Sequence, residues 1–240
     1  MRFAGITDIG RVRETNEDSY CLEALDEGRE LWLLAVADGL GGCNAGEVAS
    51  HLAIQSLRSH LSSPARTGWP SALADAVQVA HEEIRQRSER GGEERGMGTT
   101  LTAVVVEGRT VHWGHVGDSR AYLLGPDGAR VLTRDHSVTG RLVAEGFLEP
   151  DAARQHPHRN LLTQALGFSG SVDVETGSVA LAPGEWVLVT SDGLTAVVEE
   201  REILDLAQEA GEPLPLCERL VALANARGGP DNITVLAALA

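Results

Sequence analysis

Leu31-Trp32-Leu33-Leu34-Ala35-Val36-Ala37-Asp38-Gly39-Leu40-Gly41-Gly42 sets seven apolar residues directly before an aspartate, with three glycines in the next four positions. A short, continuous apolar run rich in Leu and Val predicts a strand over 31–37 packed into a core. A carboxylate at the end of such a strand is costly unless something cationic meets it there.

Three other aspartates share this setting. Asp118 follows the apolar run TVHWGHV (110–116), Asp192 follows EWVLVT (185–190), and Asp231 precedes ITVLAALA (233–240). Each of the four has a glycine within two positions, Gly39, Gly117, Gly193 and Gly229, where a missing side chain lets backbone carbonyls approach a ligand. Asp-Gly is also a common turn dipeptide, and Asp127-Gly128 in Gly125-Pro126-Asp127-Gly128 is read as one. The other four aspartates are set apart by their place at the rim of an apolar core. An all-oxygen donor set, with no His-rich or Cys-rich alternative nearby, favours the hard cations Mg²⁺ or Mn²⁺ over zinc.

Further strands are predicted at 100–107, 120–124 and 129–133, with hairpin turns at Glu107-Gly108-Arg109 and Gly125–Gly128. Apolar residues at helical spacing predict helices over 46–62 and 71–89, and two more over 199–210 and 214–227, split by Gly211 and Pro213. Strands, helices and strands in blocks point to layered sheets flanked by helices rather than to alternating βαβ units. The segments 10–19, 38–46, 91–98, 134–160 and 228–232 read as loops. The longest, 134–160, has a weak helical pattern at Val138, Leu142 and Val143 and reads as a lid or insertion.

The 240 residues, 42% hydrophobic, are enough for one domain with a sizeable core. All 20 basic residues are arginine, which excludes a lysine-bearing phosphate loop and a lysine Schiff base. A net charge of -15 argues against nucleic acid as a partner. No apolar run approaches the length that crosses a bilayer, and no apolar segment follows the N-terminal charge, so a cytoplasmic protein is expected. Cys21, Cys43 and Cys217 are odd in number and far apart, which fits a reducing compartment. A monomer is the default expectation.

The ordered set RETNED, VADGLGG, AGEVAS, GMGTTL, GHVGDSRAYLL, TRDHS, RNLLTQALG, LVTSDGL and GGPDNITV resembles the metal-dependent protein serine/threonine phosphatases of the PP2C (PPM) family, bacterial branch, over nearly the whole chain. The resemblance implies an α+β fold, a four-layer α-β-β-α sandwich of two antiparallel sheets flanked by helices, with a dimetal site at one end and 134–160 as its flap.

It also implies roles for residues. Asp38 bridges two Mn²⁺ or Mg²⁺ ions, the Gly39 carbonyl binds one of them, and Asp192 and Asp231 complete the other. Glu17 and Asp18 hold metal-bound waters, Asp118 with Asp192 makes a third, weaker site, and Arg13 binds phosphate. The implied reaction has no phosphoenzyme: water activated between the metals attacks phosphorus in line. Phosphorylated proteins are the implied substrates and a Hanks-type serine/threonine kinase the implied opponent.

The chain departs from the family at the general acid. The positions where relatives carry a histidine hold Leu40 and Cys43 here, which leaves metal-bound water or His136 as proton donors. His156 and His158 read as surface residues. Two alternatives accompany the phosphatase reading: a pseudophosphatase binding module, against which the retained aspartates count, and a phosphatase of small phosphoesters.

Overall fold

The computed structural model describes residues 1–26, 28, 30–41, 45–62 and 68–240, apart from the side chain of Glu93. Its elements in chain order are β1 (Arg2–Asp8), β2 (Asp18–Asp26), β3 (Leu31–Leu40), α1 (Ala45–Leu61), α2 (Trp69–Glu89), β4 (Gly98–Thr99), β5 (Leu101–Glu107), β6 (Thr110–Val116), β7 (Arg120–Gly125), β8 (Gly128–Val131), α3 (Val138–Ala144), α4 (Pro150–Arg154), β9 (Glu175–Ala180), β10 (Trp186–Thr190), α5 (Asp192–Thr195), α6 (Glu200–Ala210), α7 (Pro213–Ala226) and β11 (Ile233–Leu239). The strands form two sheets, ordered β1-β11-β10-β7-β8 and β2-β3-β5-β6-β9, with β4 added to β3. Every pairing is antiparallel.

The period-2 alternation of the apolar strands builds the layers. On β3, Leu33, Ala35 and Ala37 face a core shared with α1 and α2, whereas Leu34 and Val36 face a second core between the sheets. On β11, Val235 and Ala237 pack toward α6 and α7, whereas Leu236 and Ala238 enter the inter-sheet core. Three cores separate four layers, helices outside and sheets inside, as the resemblance implies. Removing one fully buried core leucine such as Leu33 would cost about 2–5 kcal/mol.

Local sequence sets the ends of these elements. The β7–β8 hairpin closes at the pair Gly125↔Gly128, with Gly128 at φ +125°, so only Pro126 and Asp127 form its loop. α6 starts at a capping box between Glu199 and Glu202 and stops at Gly211, whose φ of +65° is left-handed. No helix among the described residues is long and apolar enough to cross a membrane.

Besides the two-residue β4, three strands carry no continuous apolar run and escape the sequence reading: β1, β2 and β9. Each is an edge strand with one neighbour along its sheet, and β9 alternates exposed and half-buried residues along its whole length. An edge with one face in solvent needs few apolar residues. The predicted loops are corrected accordingly. β2 begins at Asp18, inside 10–19. β3 continues to Leu40, so Asp38 lies within a strand rather than after one. The segment 134–160 folds into the two short helices α3 and α4.

Candidate metal centre

Asp38 is held by a backbone whose hydrogen bonds are met by neighbours. Its N–H donates to Thr100 Oγ1 at 3.0 Å, and its carbonyl accepts from Thr100 N–H at 2.9 Å and from Thr99 Oγ1 at 2.8 Å. The GMGTTL segment thus satisfies the strand and leaves the carboxylate for other partners. Gly39 follows because there is no room for more: a Cβ there would collide with the carbonyl oxygen of Gly46 at the start of α1. A Cβ on Gly46 would in turn lie 2.8 Å from the Glu17 carboxylate. Close approach of β3, α1 and the 9–17 loop, rather than turn chemistry, explains Gly39 and Gly46.

Asp18 stands directly opposite Asp38 in the β2–β3 ladder. Like charges facing each other across a ladder repel unless a cation lies between them. Asp18 is buried, and its Oδ2 accepts from Ser191 Oγ at 2.7 Å and Thr234 Oγ1 at 2.6 Å. Its Oδ1 is buried with no hydrogen-bond partner. A buried carboxylate oxygen without a donor calls for a metal or water ligand. Burial pushes the Asp18 carboxyl up to about 7, against the opposing effect of its two hydroxyl donors.

Asp192 is the first residue of α5, and Asp231 lies two residues before β11. Gly193 allows these two segments to touch, since a Cβ there would run into the carbonyl oxygen of Asn232. Burial, then Asp231, raises the Asp192 carboxyl to about 6, and a hydrogen bond with Asp38 works in the other direction. The Asp38 carboxyl is driven well above the usual carboxylate range by burial and by Asp18, Asp192, Asp118 and Asp231 together. Asp118, in the turn after β6, is raised by burial and then by Asp192 and Asp135. Glu17 is raised chiefly by burial. Arg13 Nη2 donates to Asp231 Oδ2 at 2.7 Å, with half of the arginine side chain still exposed.

The structure therefore brings together all eight sequence-selected positions: Arg13, Glu17, Asp18, Asp38, Gly39, Asp118, Asp192 and Asp231. It adds three supporting residues that sequence reasoning passed over, Ser191, Thr234 and Asn232. Asn232 Oδ1 accepts from Glu17 N–H at 2.9 Å, while its Nδ2 donates to the carbonyls of Ile9 and Thr15, each at 3.0 Å. One amide side chain staples the acidic 9–17 loop onto the end of β11. Their signal was adjacency to the aspartates in TSDGL and PDNIT.

His136 does not face this cluster. Its Nδ1 accepts from Gly117 N–H at 3.3 Å, and its Nε2 lies 3.8 Å from Glu175 Oε2 on β9. His115, His136 and Glu175 have metal-capable atoms all within 4.8 Å of one another. They are nevertheless used otherwise: His115 Nε2 must donate to the Arg134 carbonyl at 3.1 Å, so its Nδ1 accepts from Thr102 Oγ1 at 2.8 Å. Burial holds His115 neutral, down to about 3. The group anchors the start of the 134–160 segment to β6 and β9. The rings of His156 and His158 lie tilted against each other, their centres 5.6 Å apart. Cys43 lies outside the described residues.

Converging carboxylates that raise one another's pKa, one orphaned buried oxygen and glycine-lined backbone fit a hard divalent cation. A family model described as Protein phosphatase 2C matches residues 11–226. The chain is 36% identical over 237 residues to the serine/threonine phosphatase stp of Listeria innocua, covering 96% of this chain and 92% of that one. It superimposes on the Mycobacterium tuberculosis serine/threonine phosphatase PstP/Ppp with a TM-score of 0.88 at 38% identity, over 99% and 98% of the two chains. A structure of the PstP catalytic domain in complex with two manganese ions aligns with a TM-score of 0.86 at 36% identity, over 98% and 96%. Fold, carboxylate cluster and relatives agree, and the chain belongs to the protein phosphatase 2C family of metal-dependent serine/threonine protein phosphatases.

Proposed function

We propose that this chain hydrolyses phosphoserine and phosphothreonine in proteins with two Mn²⁺ or Mg²⁺ ions held by Asp38, the Gly39 carbonyl, Asp192 and Asp231. Glu17 and Asp18 would hold waters beside these ions, and Asp118 with Asp192 would hold a third, more weakly bound cation. The carrying observation is the meeting of Asp18, Asp38, Asp118, Asp192 and Asp231 from separate elements, with Arg13 hydrogen-bonded to Asp231. When bound, the ions acidify water and neutralise charge on the phosphoryl oxygens.

The chain's own groups orient this chemistry. Ser191 and Thr234 fix Asp18 Oδ2, which leaves its buried Oδ1 without a hydrogen-bond partner and available to a cation or water. Arg13 rests on Asp231 and presents its remaining N–H groups to phosphate oxygens as a planar fork. With His136 committed to Gly117 and facing Glu175, water is the proton donor left for the serine or threonine alkoxide.

The names of the relatives support phosphoproteins as substrates. We extend the reading to a cytoplasmic monomer that opposes a Hanks-type serine/threonine kinase. The test is hydrolysis of p-nitrophenyl phosphate and a phosphothreonine peptide, with and without Mn²⁺, by the wild type and Asp192→Ala. Metal-dependent turnover of both, lost in the variant, is expected. Turnover of the small ester alone would redirect the reading to a metabolite, and none at all to a binding module.

A further inference from the structure

Thr100, between β4 and β5, links two segments that carry carboxylates of the metal centre. Toward β3 it pairs with Asp38 in both directions: its N–H donates to the Asp38 carbonyl at 2.9 Å, and its Oγ1 accepts from the Asp38 N–H at 3.0 Å. On the other side the same Oγ1 is hydrogen-bonded to Ser119 Oγ at 2.9 Å. Ser119 is the residue after Asp118, in the turn between β6 and β7.

That turn is shaped around the threonine. Gly117 stands at φ +119°, and a Cβ there would lie 2.5 Å from both Cβ and Cγ2 of Thr100. The Thr100 methyl group thus takes the space that a side chain at position 117 would need. His136 also holds the Gly117 backbone: its N–H donates to the Gly117 carbonyl at 2.6 Å, and its Nδ1 accepts from the Gly117 N–H at 3.3 Å. Thr100 and Ser119 are 1% and 0% exposed, so solvent does not stand in for the bond between their hydroxyls. Valine has the methyl without the hydroxyl and serine the hydroxyl without the methyl; this position uses both.

We infer that Thr100 and Ser119 are positioning residues that couple the cation at Asp118 to the ions at Asp38, so that occupying one site tightens the other. This coupling rests on the phosphatase reading, which puts cations at both places. In that reading Asp192 serves both sites, and cations gathered on one carboxylate repel each other, which opposes joint occupancy. The hydroxyl link works in the other direction. A cation on Asp118 fixes the 117–119 turn, Ser119 Oγ fixes Thr100 Oγ1, and Thr100 Oγ1 fixes the Asp38 N–H, so the end of β3 has less ordering left to undergo when its own ions bind. Linkage makes the effect reciprocal.

The test is Mn²⁺ titration calorimetry on the wild type, Ser119→Ala, Asp118→Asn and the double variant. Ser119→Ala keeps every carboxylate. It should weaken the tighter Mn²⁺ binding about tenfold while Asp118 is present, and by no more than about twofold in the Asp118→Asn background. The Mn²⁺ concentration that gives half-maximal turnover of p-nitrophenyl phosphate should rise in parallel. Thr100→Val keeps the shape and removes the hydroxyl; its loss of affinity should likewise be larger with Asp118 present, and it serves for the cycle if Ser119→Ala fails to fold. Thr100→Ser, which keeps the hydroxyl, should keep the coupling. Equal weakening with and without the Asp118 carboxylate, or unchanged affinity in both Ser119→Ala and Thr100→Val, would overturn the coupling alone. A folded wild type that binds no Mn²⁺ would overturn the metal-dependent reading and the coupling with it.

Discussion

Ser191 Oγ donates to Asp18 Oδ2 at 2.7 Å across 173 positions of sequence. Thr234 Oγ1 donates to the same oxygen, so Thr7 Oγ1, 2.8 Å from Thr234 Oγ1, must be the donor in that contact. Asp18 belongs to one sheet and Thr7, Ser191 and Thr234 to the other sheet or its end. The hydroxyls therefore bolt the two sheets together at the edge where the acids meet. Ser191→Ala should destabilise the protein by about 1.5–3 kcal/mol, the scale of a hydrogen bond to a charged group. It should also weaken Mn²⁺ binding by about 10–100-fold, as loss of a ligand's supporting partner does. Urea unfolding and metal titration calorimetry measure the two effects; unchanged metal affinity would separate the bolt from the centre.

Metal and pH should act together on stability. In the metal-free protein Asp18 titrates near 7 and Asp192 near 6, above the ~3.9 of an unfolded aspartate. The folded chain then holds protons that the unfolded chain releases. Their contribution to stability is complete below about pH 4 and is lost as pH rises through about 6 to 7. A divalent cation binds the ionised form and reverses that loss. The gap in Tm between Mn²⁺ and EDTA samples should widen from pH 5 to pH 7.5, and a constant gap would contradict the assignment of these acids to the metal centre.

Gly193 and Gly5 separate rigid from yielding close contacts. A Cβ on Gly193 collides with the backbone carbonyl of Asn232, whereas one on Gly5 collides only with the Cδ2 end of the Leu236 side chain and makes ordinary contact with Tyr20 and Leu22. Gly193→Ala should cost about 1–3 kcal/mol through displaced backbone. Gly5→Ala should cost less, because a leucine can change rotamer. Similar urea midpoints for the two variants would show that the Asp231 segment is freer to move than its contacts indicate.

Arg120 clasps Asp135 through two hydrogen bonds of 2.8 and 2.7 Å and joins the start of the 134–160 segment to β7. Both side chains are about one-fifth exposed. Arg120→Met or Asp135→Asn alone strands a poorly solvated charge and should cost about 3 kcal/mol. The double variant should cost less than the sum of the singles, and strict additivity in thermal melts would mean that the pair contributes no coupling.

The general acid gives a kinetic prediction. The family resemblance implies a histidine where this chain has Leu40 or Cys43, and the His136 ring is turned toward Gly117 and Glu175. Rates on aryl phosphates should fall more steeply with leaving-group pKa in the wild type than in Cys43→His. His136→Asn should not change the wild-type slope; a steeper slope in that variant would restore His136 as the donor.

The sequence alone determined the apolar strands, the four amphipathic helices, the hairpin turns and the carboxylates of the centre. Strands covered on both faces and helices with one apolar stripe leave strong local periodicity, and the acids at their ends interrupt it visibly. Only the tertiary structure decided where β1, β2 and β9 run, because edge strands half open to solvent need no apolar pattern and take their place from partners such as β11, β3 and β6. It also decided that Asp38 faces Asp18 within a ladder and that Ser191, Thr234 and Asn232 support the acids. His115 and His136 were likewise assigned by it to anchoring rather than chemistry. A hydroxyl or imidazole looks the same in sequence whether it meets solvent, a backbone carbonyl or a carboxylate 173 residues away; the chain's return path through the second sheet sets which of these it meets.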